Sequence, residues 1–77
     1  MSTQLLMKYD QFDQSAFDTD AEARGQAGLT VLQLWSEGAQ TRWVLLQVSD
    51  KARAQAWLDK ERGLGHPPAA AHMLETA

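Results

Sequence analysis

Residues 29–48 contain two apolar segments joined by a short polar one, and this pattern constrains the fold more than any other part of the chain. Leu29 to Trp35 and Thr41 to Val48 alternate between two faces, as β-strands do. The intervening SEGAQ is polar and contains a glycine, which is typical of a turn. A half-buried hairpin usually leaves one face polar. Here both faces carry large apolar side chains, so each face is expected to pack against another part of the protein or against a partner.

The two faces of this hairpin differ in character. If Trp35 lies opposite Trp43, the faces match across the two strands. The aliphatic face, on which we expect helices to pack, is formed by Leu32, Leu34, Val44, Leu46 and Val48. The second face consists of Val31, Trp35, Trp43 and Leu45, with Gln33 and Gln47 among them. An exposed patch of this kind usually marks an interface.

The flanking segments add two strands and two helices. QLLMKY, residues 4–9, predicts a first strand, and residues 70–76 predict a last one. Asp10 is expected to cap a helix that Gly28 ends at its C′ position. Residues 51–62 predict a second helix, whose buried edge is formed by Ala54, Trp57 and Leu58.

The predicted order is β-α-β-β-α-β in a single domain spanning residues 1–77. Right-handed crossovers then give an α+β fold of the ferredoxin-like type, with an antiparallel four-stranded sheet and two helices on one face. A 77-residue chain has a small core and this one lacks cysteine, so a partner subunit is the expected source of further stability. We predict a homodimer that forms through the face carrying Val31, Trp35, Trp43 and Leu45.

Charge and composition exclude several classes of partner. The net charge is -3, and the seven basic residues are scattered rather than clustered, which argues against nucleic-acid binding. No segment approaches the ~18 apolar residues of a membrane helix. The N-terminal sequence does not resemble a signal peptide, so we expect a cytoplasmic protein without membrane association.

Three segments of the chain carry a resemblance to a known family: YDQFDQSAFDTDAEARGQAGLT, WVLLQVSDKARAQAWL and GHPPAAAHMLETA. They are similar to small proteins of the dimeric α+β barrel superfamily, whose better-studied members include antibiotic-biosynthesis monooxygenases, haem-degrading monooxygenases and muconolactone isomerases. The matching positions are Asp10, Phe12, Phe17, Asp18, Arg24, Ala27, Gly28, Asp50, Ala54 and Trp57.

The resemblance implies a homodimer whose subunits pack sheet to sheet, with any pocket lying between sheet and helices. The residues favour a homodimer that binds a small apolar or aromatic ligand, because no two titratable groups are visibly placed to activate each other. The alternative is a cofactor-independent monooxygenase or isomerase that acts on an aromatic or quinone-like metabolite.

Three residues are candidate proton handlers for that alternative. His66 lies in a Gly/Pro-rich loop and is either an acid/base at a pocket mouth or a solvated histidine. His72 in the last strand is expected to lie near Trp35 or Trp43, either as an acid/base or as a hydrogen-bonded interface residue. Tyr9 ends the first strand and is the third candidate.

The candidate ligand-binding residues are both strand tryptophans and a polar wedge on the first helix. That wedge consists of Asp13, Asp20 and Arg24 and lies between two aromatic positions. Asp20 and Arg24 are four residues apart, so an ion pair on the helix surface is the commoner interpretation. The spacing of histidines and carboxylates predicts no metal site, and no glycine-rich phosphate motif precedes a helix, so no cofactor is expected.

Overall fold

A computed structural model describes residues 2–62 and 68–76 of the chain. Its elements are β1 (Thr3–Tyr9), α1 (Gln14–Thr19), α2 (Ala21–Gln26), β2 (Leu29–Glu37), β3 (Thr41–Val48), α3 (Lys51–Arg62) and β4 (Ala70–Glu75). The strands form one four-stranded sheet in the order β2-β3-β1-β4, and every neighbouring pair is antiparallel. The predicted α+β class and antiparallel sheet are therefore confirmed.

The chain forms two strand–helix–strand units that overlap in the sheet. β1 and β2 run in the same direction on either side of β3, and α1 and α2 connect them. β3 and β4 run in the same direction on either side of β1, and α3 precedes β4. β3 therefore lies between the two strands of the first unit, and β1 lies between the two strands of the second. The two halves of the chain thus share one continuous sheet.

The hydrophobic core lies between one face of this sheet and the helices. Its buried residues are Leu5, Met7, Ala27, Leu29, Val44, Leu46, Val48, Ala54, Trp57 and Leu58. The predicted buried edge of α3 is thus confirmed, and three of the five aliphatic hairpin residues are buried as expected. Within the described ranges, no helix is long and apolar enough to cross a membrane.

The first helix starts later than predicted. Its N-cap is Asp13, whose carboxylate accepts from the Ala16 N–H at 3.1 Å. Asp10 was the wrong candidate because the chain first bends and then bonds to the hairpin turn. The Phe12 N–H donates to the Gln40 carbonyl at 3.0 Å, which holds this segment extended past Asp10.

The single helix expected before Gly28 is instead two six-residue helices. They meet at Asp20, whose ψ of 2° lies outside the α-helical range. The predicted end of this segment is confirmed, since Ala27 is the C-cap and Gly28, at C′, has a φ of +77°. Glycine reaches that conformation without the cost that a Cβ atom imposes.

A β-bulge changes the phase of β2. Its register against β3 shifts between Val31 and Gln33, so Leu32 lies at the irregularity and is 49% exposed instead of buried. Before the bulge, Val31 lies opposite the core residue Leu46 and therefore points away from the face of Trp35. The prediction that these two residues share a face is wrong, because one extra residue reverses the alternation.

In the part of the chain that the structure describes, no helix packs on the other side of the sheet, and we call that side the open face. The strand register arranges it in three rows: Thr30, Gln47, Gln4 and Leu74; Gln33, Leu45, Leu6 and His72; and Trp35, Trp43, Lys8 and Ala70. Trp35 lies opposite Trp43, as predicted, and is 44% exposed. The Lys8 ammonium lies 5.4 Å from the centroid of the Trp43 ring, and the Trp43 indole N–H donates to Glu37 at 3.1 Å.

Candidate functional site

A cavity of about 360 Å³ lies beside the C-terminal end of β1, on the helix side of the sheet. The segment after β1, the helices α1 and α2, and the end of α3 supply its walls. The lining residues are Tyr9, Asp10, Gln11, Phe12, Asp13, Ala16, Phe17, Asp20, Arg24, Glu61 and Ala69. A volume of this size falls at the lower end of the range for small-molecule sites.

Three aromatic rings form one continuous part of the lining. The rings of Tyr9 and Phe12 meet edge to face, with centroids 5.6 Å apart. The rings of Phe12 and Phe17 are tilted, with centroids 5.3 Å apart. Such contacts fix ring orientation beyond what apolar burial alone does, so the cavity has a rigid aromatic side suited to a flat apolar group.

Arg24 supplies the positive charge of the cavity. The residue is only 6% exposed, and its guanidinium lies 3.7 Å from the centroid of the Phe17 ring. One terminal nitrogen, Nη1, donates to the Phe17 carbonyl at 2.6 Å. These two contacts to one residue hold the guanidinium plane in place. In the described part of the chain, no carboxylate forms an ion pair with it within 4.0 Å.

Asp20 and Glu61 both line the cavity, and a protonated Glu61 carboxyl can donate a hydrogen bond to the Asp20 carboxylate. One oxygen of Asp20, Oδ2, also accepts from the Trp57 indole N–H at 3.1 Å. Burial raises the pKa of Glu61 from 4.5 to about 7, and the hydrogen bond and negative charge of Asp20 add to that shift. Arg24 and Lys60 act in the opposite direction. Glu61 can therefore exchange a proton near neutral pH.

Tyr9 remains a proton donor in this setting. Burial raises its pKa to about 12, with a further contribution from the charge of Glu61. Its hydroxyl makes only a long contact, 3.9 Å, with the Met7 sulfur. At neutral pH Tyr9 therefore keeps its O–H proton and does not act as a base.

Most of the predicted polar site comes together here. Tyr9, Asp13, Asp20 and Arg24 all line the cavity. The predicted ion pair between Asp20 and Arg24 does not form, because Asp20 bonds to Trp57 and Arg24 bonds to Phe17. Asp13 contributes mainly as the α1 cap.

Glu61 was missed by the sequence interpretation. It lies within the charged sequence DKER at the end of α3, where an acidic residue resembles an ordinary solvated one. Its only signal is helical spacing: it follows the buried Trp57 by four residues and therefore shares that side of the helix. Nothing in the sequence places that side next to Asp20.

The tryptophans and histidines belong elsewhere. Trp35 and Trp43 lie on the open face, whereas the cavity lies on the helix side, so the predicted ligand-binding set is divided between two surfaces. His72 is also on the open face, but it lies opposite Leu6 at the far edge strand. Within one subunit, β1 separates it from the strand that carries Trp43. Its expected position beside a tryptophan in the cavity between two packed sheets stays a prediction. His66 falls outside the described residues.

Comparison with known proteins adds no family. No protein-family model matches the chain, and no curated protein matches it significantly. Among residues 2–62 and 68–76, no cluster of three or more histidine, aspartate and glutamate side chains is arranged to hold a metal ion.

Proposed function

We propose that this protein is a ferredoxin-like homodimer that binds a small aromatic ligand in the cavity of each subunit. The observation that carries the proposal is the cavity itself, whose lining combines three touching aromatic rings with the Arg24, Asp20 and Glu61 side chains. Ligand sites are typically apolar and contain a few convergent polar groups that fix orientation.

The strand order supports the ferredoxin-like assignment. Two strand–helix–strand units overlap in the sheet, and the helices cover one face. This is the arrangement expected for the β-α-β-β-α-β order, although the first helix is divided at Asp20. A relationship to the dimeric α+β barrel superfamily and a cytoplasmic location remain predictions.

The open face supports the homodimer. Its apolar side chains are Leu6, Trp35, Trp43, Leu45 and Leu74, and none of them contributes to the buried core. Two such faces packed together would remove both tryptophans from water. Val31 is no longer part of the proposed interface, because the bulge directs it to the other side of the sheet.

The ligand proposal is tested by narrowing the cavity. Binding of 2-naphthol, 2-naphthamide and 2-naphthoate is measured by calorimetry for the wild type, Ala16→Phe and Ala52→Phe. Ala16 lines the cavity, whereas Ala52 is an exposed position on α3. We expect Ala16→Phe to weaken binding at least tenfold and Ala52→Phe to leave it unchanged. Equal binding by all three proteins, or binding of no probe to the wild type, would contradict the proposal.

The dimer proposal is tested by placing a charge on the open face. Light scattering after size exclusion should give twice the chain mass for the wild type and for Ala52→Glu. Trp43→Glu should give a monomer or insoluble protein, because a buried unpaired carboxylate in the interface is costly. A well-folded Trp43→Glu dimer would show that the subunits meet elsewhere.

Isomerisation by proton transfer is the second candidate function, and the Asp20–Glu61 pair favours it. With a pKa of about 7, Glu61 can take a proton from an activated carbon and return it without a cofactor. Glu61→Gln keeps the hydrogen-bonding shape and removes the base, so it should bind a substrate normally and lose turnover. Unchanged turnover in that variant would exclude Glu61 as the base.

A further inference from the structure

We propose that the ligand of this cavity is a planar aromatic oxyanion, such as an aromatic carboxylate, whose charged oxygens bind the Arg24 guanidinium. This inference rests on the ligand-binding function proposed above and identifies the chemical class of the ligand. It depends on the state of Arg24, which is a buried cation without a counterion among the described residues.

The hydrogen-bond donors of Arg24 are only partly used. A guanidinium has five N–H groups, and the described residues accept from Nη1 alone, through the Phe17 carbonyl. No buried side-chain nitrogen or oxygen in the described ranges is left without a partner. The remaining donors of Arg24 therefore have no acceptor among the described residues, and this buried residue lines the cavity.

The neighbouring carboxyl groups do not neutralise Arg24. The Asp20 side chain is held by Trp57 and Glu61, and neither carboxyl of that pair forms an ion pair with the guanidinium. Burying a cation without a partner is unfavourable. A ligand oxyanion that accepts two parallel N–H bonds would supply the missing partner, and Arg matches this geometry better than Lys.

The aromatic side of the cavity defines the rest of the ligand. Phe17 stacks on the guanidinium and also contacts Phe12, which in turn contacts Tyr9. A flat ring attached to the oxyanion would therefore extend along apolar side chains while its charge remains at Arg24.

Binding of an anion should be linked to the protonation of Glu61. The groups that act on Glu61 are Asp20 at the α1–α2 junction, Arg24 on α2, Tyr9 on β1 and Lys60 on α3. An anion on Arg24 offsets the charge that lowers the pKa of Glu61, so the carboxyl holds its proton more strongly in the complex. Affinity should therefore fall as pH rises from 6 to 8 for an anionic ligand, and much less for a neutral one.

The test compares 2-naphthoate with 2-naphthamide, which have nearly the same shape and differ in charge. We expect wild-type protein at pH 6 to bind the acid at least tenfold more tightly than the amide. Arg24→Gln should bind the two probes equally, while the exposed control Arg53→Gln should keep the wild-type preference. If Arg24→Gln does not fold, Arg24→Lys retains the charge, loses the planar fork, and should show a reduced preference.

The possible results distinguish a failure of the oxyanion assignment from a failure of the proposed ligand-binding function. Equal binding of both probes to the wild type would overturn the oxyanion assignment and leave the ligand-binding function standing. Failure of both probes to bind would overturn both proposals. Preference for the acid that survives in Arg24→Gln would place the anion site elsewhere.

Discussion

Replacement of Glu61 by glutamine tests whether the Asp20–Glu61 pair shares a proton in the folded protein. The pKa of Glu61 is about 7 in the folded chain, against 4.5 for an ordinary glutamate. Between these values the folded state holds a proton that the unfolded state has released. Wild-type stability should therefore decrease as pH rises from about 4.5 to 7 and level off above that range. The glutamine in Glu61→Gln does not titrate, so the variant should lack this decrease in stability between about pH 4.5 and 7.

The size of the effect follows from the pKa difference. A difference of about 2.5 corresponds to at most ~3.4 kcal/mol, because each pKa unit is equivalent to ~1.36 kcal/mol. Glu61 is only partly buried, so solvent screening reduces the free-energy difference well below this upper limit. We expect Glu61→Gln to be ~1–1.5 kcal/mol more stable than the wild type at pH 8 and nearly equal to it at pH 5.

The assay is urea unfolding followed by tryptophan fluorescence at several pH values. Protein concentration is held constant, because dimerisation makes apparent stability depend on concentration. Subtracting the wild-type free energy of unfolding from that of the variant at each pH cancels any pH dependence that the histidines contribute to both proteins. Glu22→Gln, at an exposed helical position, is the control and should give a pH-independent difference. A stability gap for Glu61→Gln that is the same at pH 5 and pH 8 would refute the shared proton.

Three further substitutions test how the fold positions the cavity. Gly28→Ala should destabilise the protein by ~1–3 kcal/mol, because the φ of Gly28 is +77° and an added Cβ would contact the Ser49 side chain and the backbone nitrogen of Asp50. Gly25→Ala, which has open space around it, should instead stabilise α2 by ~0.5–1 kcal/mol in the same urea unfolding assay; equal effects would contradict this conformational argument. Trp57→Phe should cost ~1–3 kcal/mol, because Asp20 loses its indole donor; a cost unchanged in an Asp20→Ala background, which has no acceptor for the indole N–H, would show that this hydrogen bond carries none of it.

The fold was largely predictable because alternation and helix stops are local signals. β3 and α3 have the predicted bounds, and Gly28 ends α2 as expected. The phase error at Val31 has a physical cause, since a bulge inserts one residue without any required sequence signature. The helix start was misplaced for a similar reason, because the bond from Phe12 to the hairpin turn is long-range in sequence.

The site was only partly predictable. The polar wedge on the first helix was visible because Asp20 and Arg24 interrupt an aromatic face. The residues that act on Asp20 were not visible, since Trp57 and Glu61 come from a helix more than thirty residues later. Local spacing favoured an ion pair between Asp20 and Arg24, and tertiary contacts replaced it with two separate interactions. The pKa of Glu61 follows only from that assembly.

The central claim is that an aromatic ligand occupies the cavity beside Arg24, and mapping its position tests this most directly. Two-dimensional ¹H–¹⁵N spectra of the wild type are recorded during titration with 2-naphthoate. The account predicts the largest shifts at the backbone amides of Gln11, Asp13 and Ala69 and at the Arg24 side-chain N–H. Shifts confined to Leu45 and His72 on the open face, or no shifts at saturating probe, would contradict it.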